Sequence, residues 1–129
     1  MIASKDDSFN TLLDPRFQSG LDLFNSEQWY LAHDVFEDLW HETNGPERIT
    51  LQGLLQVAVA QVHLEGGNKV GAMILYGEGL GRLSDEYSPD LGLDLKTLCE
   101  CVEKRLKILQ VNGNLTNCSV PVLLKRSFQ

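Results

Sequence analysis

The fold is decided by residues 46–65, which read PERITLQGLLQVAVAQVHLE. Pro46 suits the first position of a helix, because its fixed φ matches helical geometry and its missing N–H is not needed there. The main apolar face of this helix consists of Leu51, Leu54, Leu55, Ala58 and Val62. Other apolar residues occupy the remaining sides, and a helix that is apolar nearly all round belongs at the centre of a domain. We therefore predict a central buried helix over about residues 46–65.

Helical periodicity also appears on both sides of this segment. Apolar residues recur three and four positions apart over about residues 15–25, 27–42, 69–83 and 94–110. Glycine and asparagine, which favour helix ends and turns, separate most of these segments. Short links make consecutive helices antiparallel, and the alternating pattern typical of strands is absent. The sequence therefore predicts an all-α fold, a compact antiparallel bundle of about five helices.

The length of 129 residues indicates one domain with accessory ends. A polar start predicts a flexible N-terminal arm over residues 1–13, followed by a single helical domain over residues 14–110. Residues 111–129 form a C-terminal tail. Two conformations remain open for its apolar segment 120–124, which can dock as an extended arm or as a short turn.

Charge and cysteine content narrow the expected partners and location. Eleven basic and eighteen acidic residues give a net charge of −7, so we expect neither nucleic acid nor a membrane as partner. No apolar run approaches the roughly 20 residues of a membrane span, and no signal-peptide pattern is present, which indicates a cytoplasmic protein. Three cysteines without C-x-x-C spacing predict neither a disulfide framework nor a zinc knuckle. The basic residues Lys104, Arg105 and Lys107 are expected at the solvated surface of the last helix.

A candidate polar site lies between the second and third predicted helices. The polar stripe of the central helix consists of Arg48, Gln52, Gln56 and His63. On the preceding helix, His33 and Glu37 share one face, because residues i and i+4 are neighbours on a helix. Counting outward from the link near Asn44 places His33 level with Gln56 and Glu37 level with Gln52. Counting back through the first link also puts Asp14 level with Glu37 and Gln18 level with His33. The spacing therefore predicts that five or six polar side chains converge at one depth of the bundle.

Aromatic residues surround this candidate site in the sequence. Trp29 and Trp40 flank His33 and Glu37 on the second helix. Counting through the link at residues 66–68 brings Tyr76 near the level of Gln56. We therefore predict a pocket lined by the two tryptophans and the tyrosine.

Three interpretations of the site remain open. The first is a structural hydrogen-bond network, in which Gln52 and Gln56 satisfy His33 and Glu37 and Arg48 pairs with Glu37, because unpaired buried polar groups are costly. The second is a divalent metal site. His33 and Glu37 would be two ligands, but a catalytic zinc site uses three protein ligands, so one of Asp14, His41 or Gln56 would have to join them. His63 is a less suitable third ligand, because it lies about 10 Å further along its helix than Gln56, at 1.5 Å per residue. The third is an acid–base pocket for a small molecule.

Three linked motifs resemble a known family. They are A-H-x-x-x-E-x-x-W at residues 32–40, L-Q-G-L-L-Q-V-A-V-A-x-x-H at residues 51–63, and G-N-x-x-G-A at residues 67–72. Together, over about residues 17–83, they resemble the domain-of-unknown-function family 309 (DUF309), whose members are compact helical proteins without an established activity. The metal-binding role suggested for the first motif would fall here on His33 and Glu37.

Two functional hypotheses follow. The leading one is a cytoplasmic helical protein of unknown biochemical role with a polar site around His33 and Glu37, for which binding of a divalent metal is one of the open interpretations. The alternative is a non-catalytic module that binds a protein partner or a second copy of itself, in which His33 and Glu37 belong to a structural network. Whether the chain is an enzyme stays open, and the sequence names neither a small-molecule ligand nor a catalytic residue.

Overall fold

Five helices succeed one another along the chain, in a computed structural model that describes residues 11–127. They are α1 (Pro15–Asn25), α2 (Trp29–Glu42), α3 (Glu47–Glu65), α4 (Lys69–Leu83) and α5 (Leu95–Gln110). Each helix packs against the next one in the chain, as short links require. In the described range no strand forms, and an isolated bridge joins Leu93 to Lys125. The predicted all-α bundle of about five helices is confirmed.

The helices begin where the sequence supplies side-chain caps. The side chain of Asp14 accepts a hydrogen bond from the Arg16 amide, that of Asn68 from the Gly71 amide, and that of Asp94 from the Thr97 amide. Helix α2 begins at Trp29, two residues later than predicted. The cause is Glu27, whose positive φ of 62° takes the link out of helical geometry.

Helix α3 lies at the centre of the bundle, between α2 and α4. Leu51, Leu54, Val57, Ala58 and Ala60 are fully buried on it. Glycine allows close packing on its α4 side: a Cβ at Gly79 would lie 3.1 Å from the Gly53 carbonyl oxygen. The prediction of a central buried helix is confirmed.

The C-terminal tail docks on the bundle as an extended arm. The side chain of Asn25 binds both backbone groups of Leu123, as a neighbouring strand does. It accepts a hydrogen bond from the Leu123 amide at 2.8 Å and donates one to the Leu123 carbonyl at 2.9 Å. The Asp94 amide donates to the Leu124 carbonyl, and the Arg126 amide donates to the Gly92 carbonyl. Leu123 is buried. Of the two conformations left open by the sequence, the structure shows the extended one.

Two expectations concern the chain's start and membranes. Residues 1–10 of the predicted flexible N-terminal arm lie outside the described residues, while residues 11–13 form a helical turn in which Thr11 is buried. Across residues 11–127, every helix is too short or too polar to cross a bilayer.

Candidate functional site

His33 and Glu37 lie one turn apart on α2, at the protein surface. The Nε2 atom of His33 is 3.8 Å from a Glu37 carboxylate oxygen, and the two side chains are 20% and 45% exposed. Nδ1 of His33 lies 3.3 Å from an Asp34 carboxylate oxygen, but the direction of approach does not make a hydrogen bond. Such partly exposed pairs contribute little stability, typically about 0.3–0.5 kcal/mol for an i,i+4 pair on a helix. The geometry is that of a half-buried histidine among surface carboxylates.

The additional ligands considered for a metal site are engaged elsewhere or stay apart. Asp14 forms an ion pair with Arg16 at 2.8 Å, and Arg16 also pairs with Glu42 at 2.9 Å. These contacts with Arg16 hold the pKa of the Asp14 carboxyl below its usual range. The ring of His41 packs against Trp40, with ring centroids 5.0 Å apart. Among residues 11–127, no three histidine, cysteine, aspartate or glutamate side chains come together in a group that could hold a metal ion.

Arg48 stacks on Trp40 and does not form the pair with Glu37 that belonged to the structural-network interpretation. Its guanidinium carbon lies 3.7 Å from the centre of the indole, and its Nε donates to the Trp40 carbonyl oxygen at 3.2 Å. This cation–π contact ties the start of α3 to the end of α2. Trp29 lies in the core instead, edge-on to Phe24 with ring centroids 4.9 Å apart. The two tryptophans therefore pack as structural residues at opposite ends of α2.

Gln56 faces α4 rather than His33. Its Nε2 donates to a Glu78 carboxylate oxygen at 3.1 Å, and its Oε1 accepts from Arg82 at 3.3 Å. Gln52 lies one turn earlier on α3 and is half-buried. The predicted position of Gln56 along the length of the bundle agrees with these contacts. Its partners, however, lie on α4, whereas the prediction placed them on α2.

The most buried polar cluster surrounds Tyr76. Its hydroxyl donates to the Gln61 side-chain oxygen and accepts from Arg105 Nε at 2.7 Å. Arg105 also donates to the Ser119 carbonyl at 2.8 Å, which fastens the tail to α5. All three side chains are at most 4% exposed. Burial raises the pKa of Tyr76 to about 12, and Arg105 opposes this rise. A tyrosine in this state donates hydrogen bonds and does not act as a base near neutral pH.

One sequence signal pointed to this cluster. Arg105 was expected at the surface, but it falls in register with Leu98, Val102 and Leu109, the buried stripe of α5. A charged residue in an apolar stripe is buried only when other groups satisfy it. The partners of Arg105 are the Tyr76 hydroxyl and two carbonyl groups of the tail, and helical spacing does not predict contacts between such distant parts of the sequence.

Two cavities in the described part of the protein bear on the acid–base interpretation. The first has a volume of about 390 Å³ and lies between α4 and α5, where Leu83 and Cys99 contribute to its wall. The second has a volume of about 140 Å³ and adjoins Arg16. Neither is lined by His33 or Glu37, so the acid–base interpretation finds no support in these two cavities.

We expect that His33→Ala and Glu37→Ala will each lower the free energy of unfolding by about 1 kcal/mol or less, because the pair is partly exposed. Urea denaturation of both variants measures this change, with Leu31→Ala as the control at an exposed position of the same helix. Metal analysis of protein prepared without a histidine tag accompanies it. Stoichiometric zinc or another metal that disappears in both variants would contradict the structural interpretation.

Comparison with known proteins adds the family. The search of curated proteins returns no match. A sequence model of the family described as "Domain of unknown function (DUF309)" matches residues 17–75. The matched range covers α1 to α3 and the first half of α4, and so includes His33, Glu37 and Trp40. It ends before α5 and the tail, which supply Arg105 and its backbone partners. Over residues 17–75, this chain is similar to the DUF309 family.

Proposed function

We propose that this chain is a non-catalytic module that associates with a second copy of itself through one exposed face of α4. This face, called the α4 face below, consists of Val70, Ile74, Gly77 and Gly81. The observation that carries the proposal is its exposed apolar surface: Val70 is 64% exposed and Ile74 is 55% exposed. Neighbouring exposed apolar residues on one helix mark an interaction surface more strongly than isolated ones.

The four residues of the α4 face form one straight stripe. They are separated by four, three and four positions, so they fall within a narrow arc when each residue advances 100°. Among the residues that the structure describes, a Cβ at Gly77 or Gly81 would have no heavy atom within 4 Å outside its own helix. Glycine costs about 1 kcal/mol relative to alanine in a helix interior, and no contact within residues 11–127 requires glycine at these two positions. Close approach of another helix supplies a reason for both.

The order of residues on the α4 face favours a second copy as the occupant. Two bulky residues come first and two glycines follow, with equal spacing about the centre of the stripe. An antiparallel copy therefore places Ile74 over Gly77 of the other subunit, and Val70 over Gly81 of the other subunit. A twofold interface requires this kind of self-complementary surface.

Charge supports the same arrangement. Lys69 precedes the stripe, while Asp85 and Glu86 follow the end of α4, and all three are exposed. In an antiparallel pair, the lysine of one subunit approaches the two acidic residues of the other. Opposite charges at the rim of an interface steer association and set orientation.

The remaining polar motif fits a structural role within this module. Arg48 and Gln56 are held by Trp40, Glu78 and Arg82. These contacts join α2, α3 and α4, which positions α4 on the bundle. The His33/Glu37 pair lies on α2 and contributes no residue to the α4 face.

Light scattering across a concentration series tests the proposal. We expect a mass of twice the chain's 14.5 kDa, which falls to the monomer value in Ile74→Glu because a charge would be buried against a glycine. Leu31→Glu is the matched control: Leu31 is 50% exposed on α2, so the same change there leaves the dimer intact. A wild-type chain that stays monomeric up to about 100 μM contradicts the proposal.

A second variant separates loss of association from loss of folding. Gly77→Leu adds a good helix former in open space, so the monomer gains up to about 1 kcal/mol of stability. The added side chain fills the gap that receives Ile74 of the other subunit, and the dimer dissociates. A variant that is more stable yet monomeric is not explained by misfolding.

A further inference from the structure

Two cysteines meet where the C-terminal tail contacts α5. Cys101 lies on α5, Cys118 lies in the turn at the start of the tail, and both thiols are free and partly buried. The Sγ atom of Cys101 is 3.6 Å from the carbonyl oxygen of Ser119, the residue after Cys118. The backbone that carries Cys118 is therefore in direct contact with the thiol of Cys101.

Arg105 holds the two segments in this arrangement. It lies one turn after Cys101, and its Nη1 atom donates to the Ser119 carbonyl at 2.8 Å and to the Cys118 carbonyl at 3.4 Å. The Arg105 side chain is itself buried and bound to Tyr76, so it is a fixed support. The backbone that carries Cys118 forms a turn, in which the Cys118 amide donates to the Leu115 carbonyl at 2.9 Å.

The surroundings of Cys101 also affect its thiol. Burial raises the pKa of the Cys101 thiol, Arg105 opposes this rise, and a Cys118 thiolate raises the pKa further. Cys99 differs from Cys101 in its surroundings. Residues i and i+2 lie on different sides of a helix, and Cys99 contributes to the wall of the cavity between α4 and α5.

We infer that Cys101 and Cys118 are a redox-active pair, which a small-molecule disulfide converts into an intrachain disulfide that fastens the tail to α5. One thiolate attacks the small disulfide, which forms a mixed disulfide and releases one small thiol. The second cysteine thiolate then attacks the protein sulfur of the mixed disulfide and releases the second small thiol. Two cysteine thiols are oxidised, one small disulfide is reduced to two thiols, and the two cysteine protons leave with the products.

The expected consequence is a tail that no longer opens independently of the bundle. The bond closes a loop of about 17 residues, which restricts the unfolded chain and raises the melting temperature by about 5 °C or more. Reduction restores an arm held by hydrogen bonds and packing. This inference does not depend on self-association through the α4 face.

Peptide mapping of the full chain after treatment with oxidised glutathione tests it. Trypsin releases Cys118 in residues 108–125, and Cys99 and Cys101 together in residues 97–104. We expect a cross-linked pair of these peptides, lost on reduction, from protein that migrates as a single chain in denaturing electrophoresis without reductant. The Cys99→Ser variant identifies the partner, because it still forms the cross-link, whereas Cys101→Ser and Cys118→Ser do not.

Several results would overturn the inference. They are glutathione adducts without a cross-link, no reaction, a cross-link between two chains, and a cross-link that disappears in Cys99→Ser. Melting curves of Cys99→Ser with and without oxidation provide the second readout. An oxidised form that melts at the same temperature as the reduced form shows that the bond does not restrain the tail.

Discussion

Replacing Arg105 with methionine is expected to lower the free energy of unfolding by about 3 kcal/mol, because one buried and two partly buried acceptors lose their charged donor. These acceptors are the Tyr76 hydroxyl oxygen and the carbonyl oxygens of Cys118 and Ser119. Methionine keeps most of the side-chain volume, so the loss measures hydrogen bonding more than packing. Removing a buried charge also removes its desolvation cost, which offsets part of the loss. The loss dominates, because the tail is anchored through the same guanidinium.

Urea denaturation measures the effect, and two other variants serve as controls. Lys104→Met changes the neighbouring exposed cation and should alter the free energy of unfolding by less than about 0.5 kcal/mol. Arg105→Lys keeps the charge but loses the planar group that reaches the tyrosine and the tail at once, so it should fall between wild type and Arg105→Met. Hydrogen exchange at the Cys118 amide should accelerate in Arg105→Met. Equal stability of Arg105→Met and wild type would show that the cluster around Tyr76 is not a stabilising anchor.

The helices were predictable because local signals specify them. The Asp14 cap, Pro46 and the Asn68 cap stand beside apolar periodicity, and these signals agree with one another. The exception is the start of α2, where the positive φ of Glu27 follows from the geometry of the link and not from a preference of glutamate. The extended tail was left open for a similar reason: its partner Asn25 is 98 positions away in the sequence.

The polar contacts were harder to predict than the helices. Counting residues from a link gives the position of a side chain along the bundle axis, but it does not give the neighbouring helix that the side chain faces. Gln56 lies level with Glu78, as counting from the link at residues 66–68 requires, but the count does not say whether it faces α2 or α4. Tyr76 shows a second effect. Its side chain points toward the start of α4, as helical side chains do, so its hydroxyl reaches Gln61 rather than the level of Gln56. Side-chain length and direction moved the contact by more than one turn.

Gly20→Ala is expected to lower the free energy of unfolding by about 2 kcal/mol, even though alanine is the better helix former. Gly20 is buried on α1, where a Cβ would lie 2.5 Å from one ring carbon of Phe36 and under 3.0 Å from two more. Phe36 is fully buried on α2, so its ring cannot turn into solvent to make room. The overlap forces α1 and α2 apart, which costs more than the gain of about 1 kcal/mol in helix propensity.

The matched control is the same substitution at a position without a neighbour. Gly81→Ala places its Cβ in open space and should raise the free energy of unfolding by about 0.5–1 kcal/mol. Both changes are made in the Ile74→Glu background, so that self-association through the α4 face does not contribute. Opposite signs for one substitution would show that contact between α1 and α2, and not helix propensity, requires glycine at position 20. Stabilisation by both changes would mean that the two helices can separate at little cost, and that the close contact with Phe36 does not hold the fold together.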